Sequence, residues 1–78
     1  MFGKKKKITR RIHINRALDE VSNLQRMEEI IIYRPRADTT AEAFKQQVES
    51  IAFRRSLMVL SEPETDGNDN FYMKLRKI

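Results

Sequence analysis

The chain contains no cysteine, which removes disulfides, thiolate zinc sites and cysteine nucleophiles together. Its single histidine, His13, leaves transition metals without a ligand set, and no Ser or Asp can be paired with that imidazole as an acid-base partner. With 2 Gly and 2 Pro there are few obligatory turns, and no glycine-rich phosphate loop is present. The longest apolar runs, residues 30–33 and 57–60, fall far short of the roughly 18 residues of a membrane span. After Met1-Phe2-Gly3 come lysines with no apolar stretch behind them, so a secretory leader is not expected and a cytoplasmic location is. These absences lead to the expectation of a non-enzymatic protein without cofactor, metal or transmembrane segment.

Negative charge is missing from one region only. Lys4, Lys5, Lys6, Lys7, Arg10 and Arg11 face no acidic residue in the first eleven positions. Removing those 6 from the 16 Lys and Arg leaves 10 against 11 Asp and Glu, so residues 12–78 carry −1 of the total of +5. A near-neutral domain thus follows a cationic arm, expected to be mobile over residues 1–7, with one domain over 8–78. Clustered like charges are rewarded by a polyanion, either nucleic acid or an anionic membrane surface. A solvated tail that serves solubility is the bland alternative.

At 78 residues the chain buries only about 60 % of its unfolded surface, so assistance from a second subunit is a live expectation. Its apolar residues nevertheless fall in periodic blocks, which argues for a fold. Ile12 and Ile14 share one parity while Arg11 and His13 share the other, predicting a strand from about Ile8. Asn15 is placed as an N-cap for a helix through about Met27, on the apolar stripe Ala17, Leu18, Val21 and Leu24. The competing parse makes Ser22-Asn23 the turn of a hairpin between residues 8–21 and 24–34. Ile30, Ile31, Ile32 and Tyr33 predict a central strand covered on both faces and ended by Pro35.

Thr39, with Glu42 three places on, has the signature of a capping box opening a second helix. Phe44, Val48, Ile51 and Ala52 give that helix its buried stripe, and it is expected to end near Arg54 and Arg55. Leu57 to Leu60 and Phe71 to Arg76 then predict two antiparallel strands around a polar turn in which Asp66-Gly67 or Gly67-Asn68 supplies positive φ. The expected fold class is α+β, a single-layer sheet of three to four strands with one or two helices on one face. Its order is β-α-β-α-β-β, with β-β-α-β-β as the alternative.

The candidate nucleic-acid-binding residues are Lys4, Lys5, Lys6, Lys7, Arg10 and Arg11, extended by Arg34, Arg36, Arg54, Arg55, Lys74 and Arg76 where these share a face. Arg34 and Arg36 close a strand while Arg54 and Arg55 close a helix, so the two pairs are placed at opposite ends of that unit. Tyr33 and Tyr72 become stacking platforms if they point outward, and core rims otherwise. His13 is expected as a surface strand residue. Asp66, Asn68 and Asn70 occupy the first, third and fifth places of a calcium loop, but Phe71 and Lys77 stand where such a loop needs Gly and Glu, so a turn is expected.

The order of elements resembles the layout of the bacterial Min-system topological specificity factor, and residues 30–60 resemble the core of a bacterial division-ring membrane anchor. Those resemblances rest on order, length and charge, and imply a membrane-binding N-terminal segment with bulky apolar residues. Only Phe2 and Ile8 meet that description here, and no residue role is carried across. The leading expectation is therefore a nucleic-acid-binding accessory protein. The alternative is a protein-interaction or anionic-membrane-surface adaptor, with homodimerisation through a sheet edge as one form of it.

Overall fold

The computed structural model describes residues 9–78; the expected arm at residues 1–7, with Lys4, Lys5, Lys6 and Lys7, and the neighbouring Ile8 lie outside the described residues. Five strands form one mixed sheet: β1 (Arg10–His13), β2 (Glu29–Pro35), β3 (Leu57–Val59), β4 (Glu64–Thr65) and β5 (Asn70–Lys77). The order is β1-β2-β5-β3, with β4 also pairing β5. β1 lies parallel to β2, and β5 runs antiparallel to β2, β3 and β4. The parallel pairing of residues 10–13 with 30–33 requires a crossover, so the hairpin parse is set aside; the order among the described residues is β-α-β-α-β-β-β, the expected β-α-β-α-β-β with one further short strand, β4, which makes five strands where three to four were expected.

The crossover is shorter and tighter than its apolar stripe predicts. Helical structure covers residues 14–23, of which only α1 (Ala17–Glu20) is α-helical, between the 3-10 turns Ile14–Arg16 and Val21–Asn23. The residues that weaken it are visible: the Ser22 hydroxyl donates to the Asp19 carbonyl at 2.7 Å, bonding the backbone locally as short polar side chains do. Asn15 is not the cap. His13 is, its imidazole Nδ1 accepting the Asn15 backbone N–H at 3.1 Å. Ala17, Val21 and Leu24 still reach the core, because three- and four-residue spacing keeps them on one side.

β2 is central, as its run of β-branched residues implies, but it is covered on one face only. Ile30 and Ile32 are fully buried, whereas Ile31 and Tyr33 are half-buried on the other side, where no helix of the described residues packs. The second helix, α2 (Ala41–Arg55), starts one residue later than the capping-box signature indicates: Thr40 is the N-cap, its hydroxyl accepting the Ala43 N–H at 3.2 Å. Thr39 is engaged instead in closing the 3-10 turn Arg36–Asp38, with its N–H directed to the Arg36 carbonyl. At the other end Ser56 adopts the left-handed conformation (φ 58°) and donates to the Ala52 carbonyl, so a helix without a glycine stop still terminates.

β3 and β4 share one edge of β5 as a broken strand. Between them Leu60 donates to the Lys74 carbonyl at 2.7 Å and the Ser61 hydroxyl accepts the Lys74 N–H at 3.1 Å. Glu64 and Thr65, expected within a polar turn, thus form a short strand. In the turn that follows, the positive φ belongs to Asp69 (66°) and not to Gly67. The Asp66 side chain organises that turn by accepting the N–H groups of Asn68 and Asn70 at 2.8 and 3.0 Å.

One apolar core fills the space between sheet and helices. Ile12, Ile30, Ile32, Leu57, Met73 and Leu75 from the sheet meet Ala17, Val21 and Leu24 from the crossover and Phe44, Val48, Ile51 and Ala52 from α2, and no buried residue among those described is polar. Both helical segments therefore cover the same face, and among the described residues the opposite face is left open.

Candidate functional site

Strict alternation along the strands decides what the open face presents. The partners of buried Ile12, Ile32 and Met73 put Arg11 and His13 of β1, Glu29, Ile31 and Tyr33 of β2, Tyr72, Lys74 and Arg76 of β5, and Met58 of β3 on the side away from the helices. Register then sorts them into rows. Arg11 lies beside Ile31 and Ile31 beside Lys74; His13 lies beside Tyr33, Tyr33 beside Tyr72 and Tyr72 beside Glu64; Glu29 lies beside Arg76 and Arg76 beside Met58.

The ring row is tied together by specific contacts. His13 meets Tyr33 edge-on, with centroids 5.3 Å apart and planes at 76°. The Arg11 guanidinium sits 5.0 Å from the Tyr33 ring centroid and donates to Asp66 Oδ2 at 2.7 Å. Partial burial, with the side chain 15 % exposed, acts to raise the Asp66 pKa, but the Arg11 hydrogen bond and the N–H groups of Asn70 and Asn68 outweigh it and hold the carboxyl at about 2. The Tyr72 hydroxyl donates to Glu64 Oε1 at 2.9 Å, and that hydrogen bond together with the carboxylate's charge raises the phenol pKa. Tyr72 therefore stays a neutral donor at physiological pH.

Among the described residues the expected cations do not form one patch. Arg11, Lys74 and Arg76 share the open face, with Arg76 held to Glu29 at 2.8 Å and Lys74 exposed without a side-chain partner among the described residues. Arg10 has the parity of Ile12 and is drawn to Glu20 and Glu28 at 3.3 and 3.8 Å. Arg34 bonds Gln47 of α2 at 2.7 Å, on the helix side of the sheet. Arg36 pairs with Asp69 at 3.0 Å and lies 5.8 Å from the Phe71 ring centroid. Arg54 and Arg55 stand at the C-terminal end of α2, where Arg55 donates to the Leu18 carbonyl at 3.2 Å. The two arginine pairs thus occupy opposite ends of the helix, as their positions in sequence imply.

Beside Tyr33 the open face dips into a cleft of about 440 Å³ bounded by Arg11, His13, Asn15, Arg16 and Glu20. Among the described residues no group of three His, Asp or Glu converges in a way that holds a metal ion, and the Asp66 carboxylate is already occupied by Arg11 and by its own turn. Sequence reasoning missed the carboxylates that quench the face. Arg11 and Asp66 are 55 residues apart and Arg76 and Glu29 are 47 apart, and no local pattern connects them. Comparison of the chain with protein-family models, with characterised proteins and with solved structures finds no match in any of the three.

Proposed function

We propose that this protein is a non-enzymatic nucleic-acid-binding protein, in which Lys4, Lys5, Lys6 and Lys7 supply the phosphate contacts and the open sheet face lies against the bound strand. The observation that supports this reading is the contrast in charge pairing. The described residues hold 12 Lys and Arg, the 16 less the four lysines, against 11 Asp and Glu. Within them Arg10, Arg11, Arg16, Arg36, Lys45 and Arg76 each hold a carboxylate within 4 Å. The described residues thus carry a formal 12 − 11 = +1, and the other +4 of the chain's +5 is formal charge of the lysine run, which only residues 8 and 9 separate from β1. Each phosphate neutralised releases counterions, so four lysines contribute a log K against log salt slope of about −3 to −4.

The test is binding of the full chain to DNA and RNA at about 50 mM salt and across a salt series, with and without residues 1–7. A complex whose salt slope falls by about 3 on deletion supports the reading. No complex with either nucleic acid at the lowest salt ends it.

A protein partner is the second reading, favoured by the exposure of Met58, Leu60 and Ile78 along the β3 edge (47 %, 37 % and 60 %). A monomer by sedimentation at all accessible concentrations removes the homodimer form of it.

A further inference from the structure

The open face carries as many carboxylates as cations, Asp66, Glu64 and Glu29 against Arg11, Lys74 and Arg76. Opposite charges this close cancel beyond a few ångströms, so the face adds little attraction for phosphate. What it does offer is ring surface. His13, Tyr33 and Tyr72 stand in consecutive register on three adjacent strands, a row about 10 Å long at the ordinary strand spacing of about 4.8 Å. The row is also held in place: Tyr72 is tethered through its hydroxyl by Glu64, and Tyr33 is braced by His13 at its edge and by the Arg11 guanidinium over its ring. A guanidinium plane stacks on bases as an aromatic ring does, so Arg11 extends the surface instead of blocking it.

We infer that this row is a base-stacking platform and that the nucleic acid bound is single-stranded; the inference rests on the phosphate-binding role proposed above for residues 4–7. A duplex keeps its base faces stacked inside, and offers a neutral ring row only edges and phosphates. An unpaired strand offers base faces to Tyr33 and Tyr72 while its backbone reaches the lysines that precede β1. Charge complementarity thus comes from the arm, and strand selectivity from the face. Stacking tolerates any base, so weak sequence preference follows.

The chain has no Trp and 2 Tyr, so its intrinsic tyrosine emission reports on this row alone. The experiment compares the full chain binding a mixed-base single strand of about 15 nucleotides, its duplex, and an abasic strand of equal length. The expected result is affinity at least about tenfold higher for the base-bearing single strand than for either competitor, with quenched tyrosine emission. Tyr33→Leu with Tyr72→Leu abolishes that excess and leaves abasic binding unchanged, and Tyr33→Phe with Tyr72→Phe retains it. Should the leucine variant fail to fold, the abasic comparison and the quenching on the unaltered chain decide alone. Equal affinity for base-bearing and abasic strands overturns the inference while the phosphate reading stands, and absence of all binding overturns both. A dimer that the leucine variant dissociates, with strand binding indifferent to bases, gives the face to a second copy of the chain and also overturns the inference.

Discussion

The two faces of the sheet are built from alternate residues of the same strands, yet they obey different rules. On the helix side, Ile12, Ile30, Ile32, Met73 and Leu75 are at most 3 % exposed and belong to one apolar core cluster. On the open side, one residue away along each strand, Arg11, His13, Tyr33, Tyr72 and Arg76 are held by ion pairs, hydrogen bonds and ring contacts. Burial stabilises the first face in proportion to the apolar area taken from water. Exposed ion pairs contribute at most about 1 kcal/mol each, so the second face can exchange partners at little cost to the fold. The period of the β-strand thereby puts the stabilising core on one face and the proposed recognition surface on the other.

That separation is most easily broken at Phe44, which is fully buried and lies with its ring stacked 6.0 Å from that of Phe71. Phe44→Ala is expected to cost about 3–5 kcal/mol, a large share of the roughly 4–12 kcal/mol available to a chain of 78 residues. Tyr72→Phe, on the other face, is expected to cost about 1 kcal/mol. Denaturant midpoints measure both, and comparable losses from the two would erase the distinction between faces.

Asp66 sharpens the comparison through pH. Its carboxyl, held at about 2 against an ordinary 3.8, binds a proton more weakly in the folded chain than in the unfolded one. The contribution is therefore fully present above pH ~4 and is lost as the pH falls toward ~2. Asp66→Asn keeps the Oδ1 acceptor for the turn but removes the charge facing Arg11, so stability should fall less steeply over that window. An unaltered pH profile in chemical denaturation would mean that the Arg11–Asp66 pair contributes nothing to the fold.

Capping gives a smaller effect. Thr40→Ala is expected to cost about 1 kcal/mol because Ala43 loses its acceptor, while Thr39→Ala should stay within about 0.5 kcal/mol. The exposed pair on the open face is also worth little: Arg76→Ala should change stability by less than about 1 kcal/mol. A larger loss there would show that the open face shares in holding the fold.

Strand β5 and helix α2 were legible in the sequence because their apolar residues repeat with clear periods, Phe71, Met73 and Leu75 at two and Phe44, Val48, Ile51 at four and three, and β2 was legible as a continuous β-branched run. The run Ile30 to Tyr33 hid its one-sidedness, since Ile31 has the same side chain as its buried neighbours and is half-buried because both described helical segments pack on the other face. The helix at residues 14–23 gives way to a 3-10 turn at its C-terminal end, where the Ser22 hydroxyl bonds the Asp19 carbonyl, and its N-terminal cap is the His13 imidazole where the sequence pointed to Asn15. Of the site, the outward tyrosines were legible as a possibility of parity. Their alignment with each other and with His13, and the neutralisation of Arg11 and Arg76 by distant carboxylates, depend on register, which local sequence does not encode.

The most direct test of the division between faces is an NMR titration of the full chain with a mixed-base single strand at low salt. Shifts at Arg11, His13, Ile31, Tyr33, Tyr72 and Lys74, with the outer surface of α2 unmoved, are the expected result. Shifts confined to residues 1–8, or centred on α2, would contradict it.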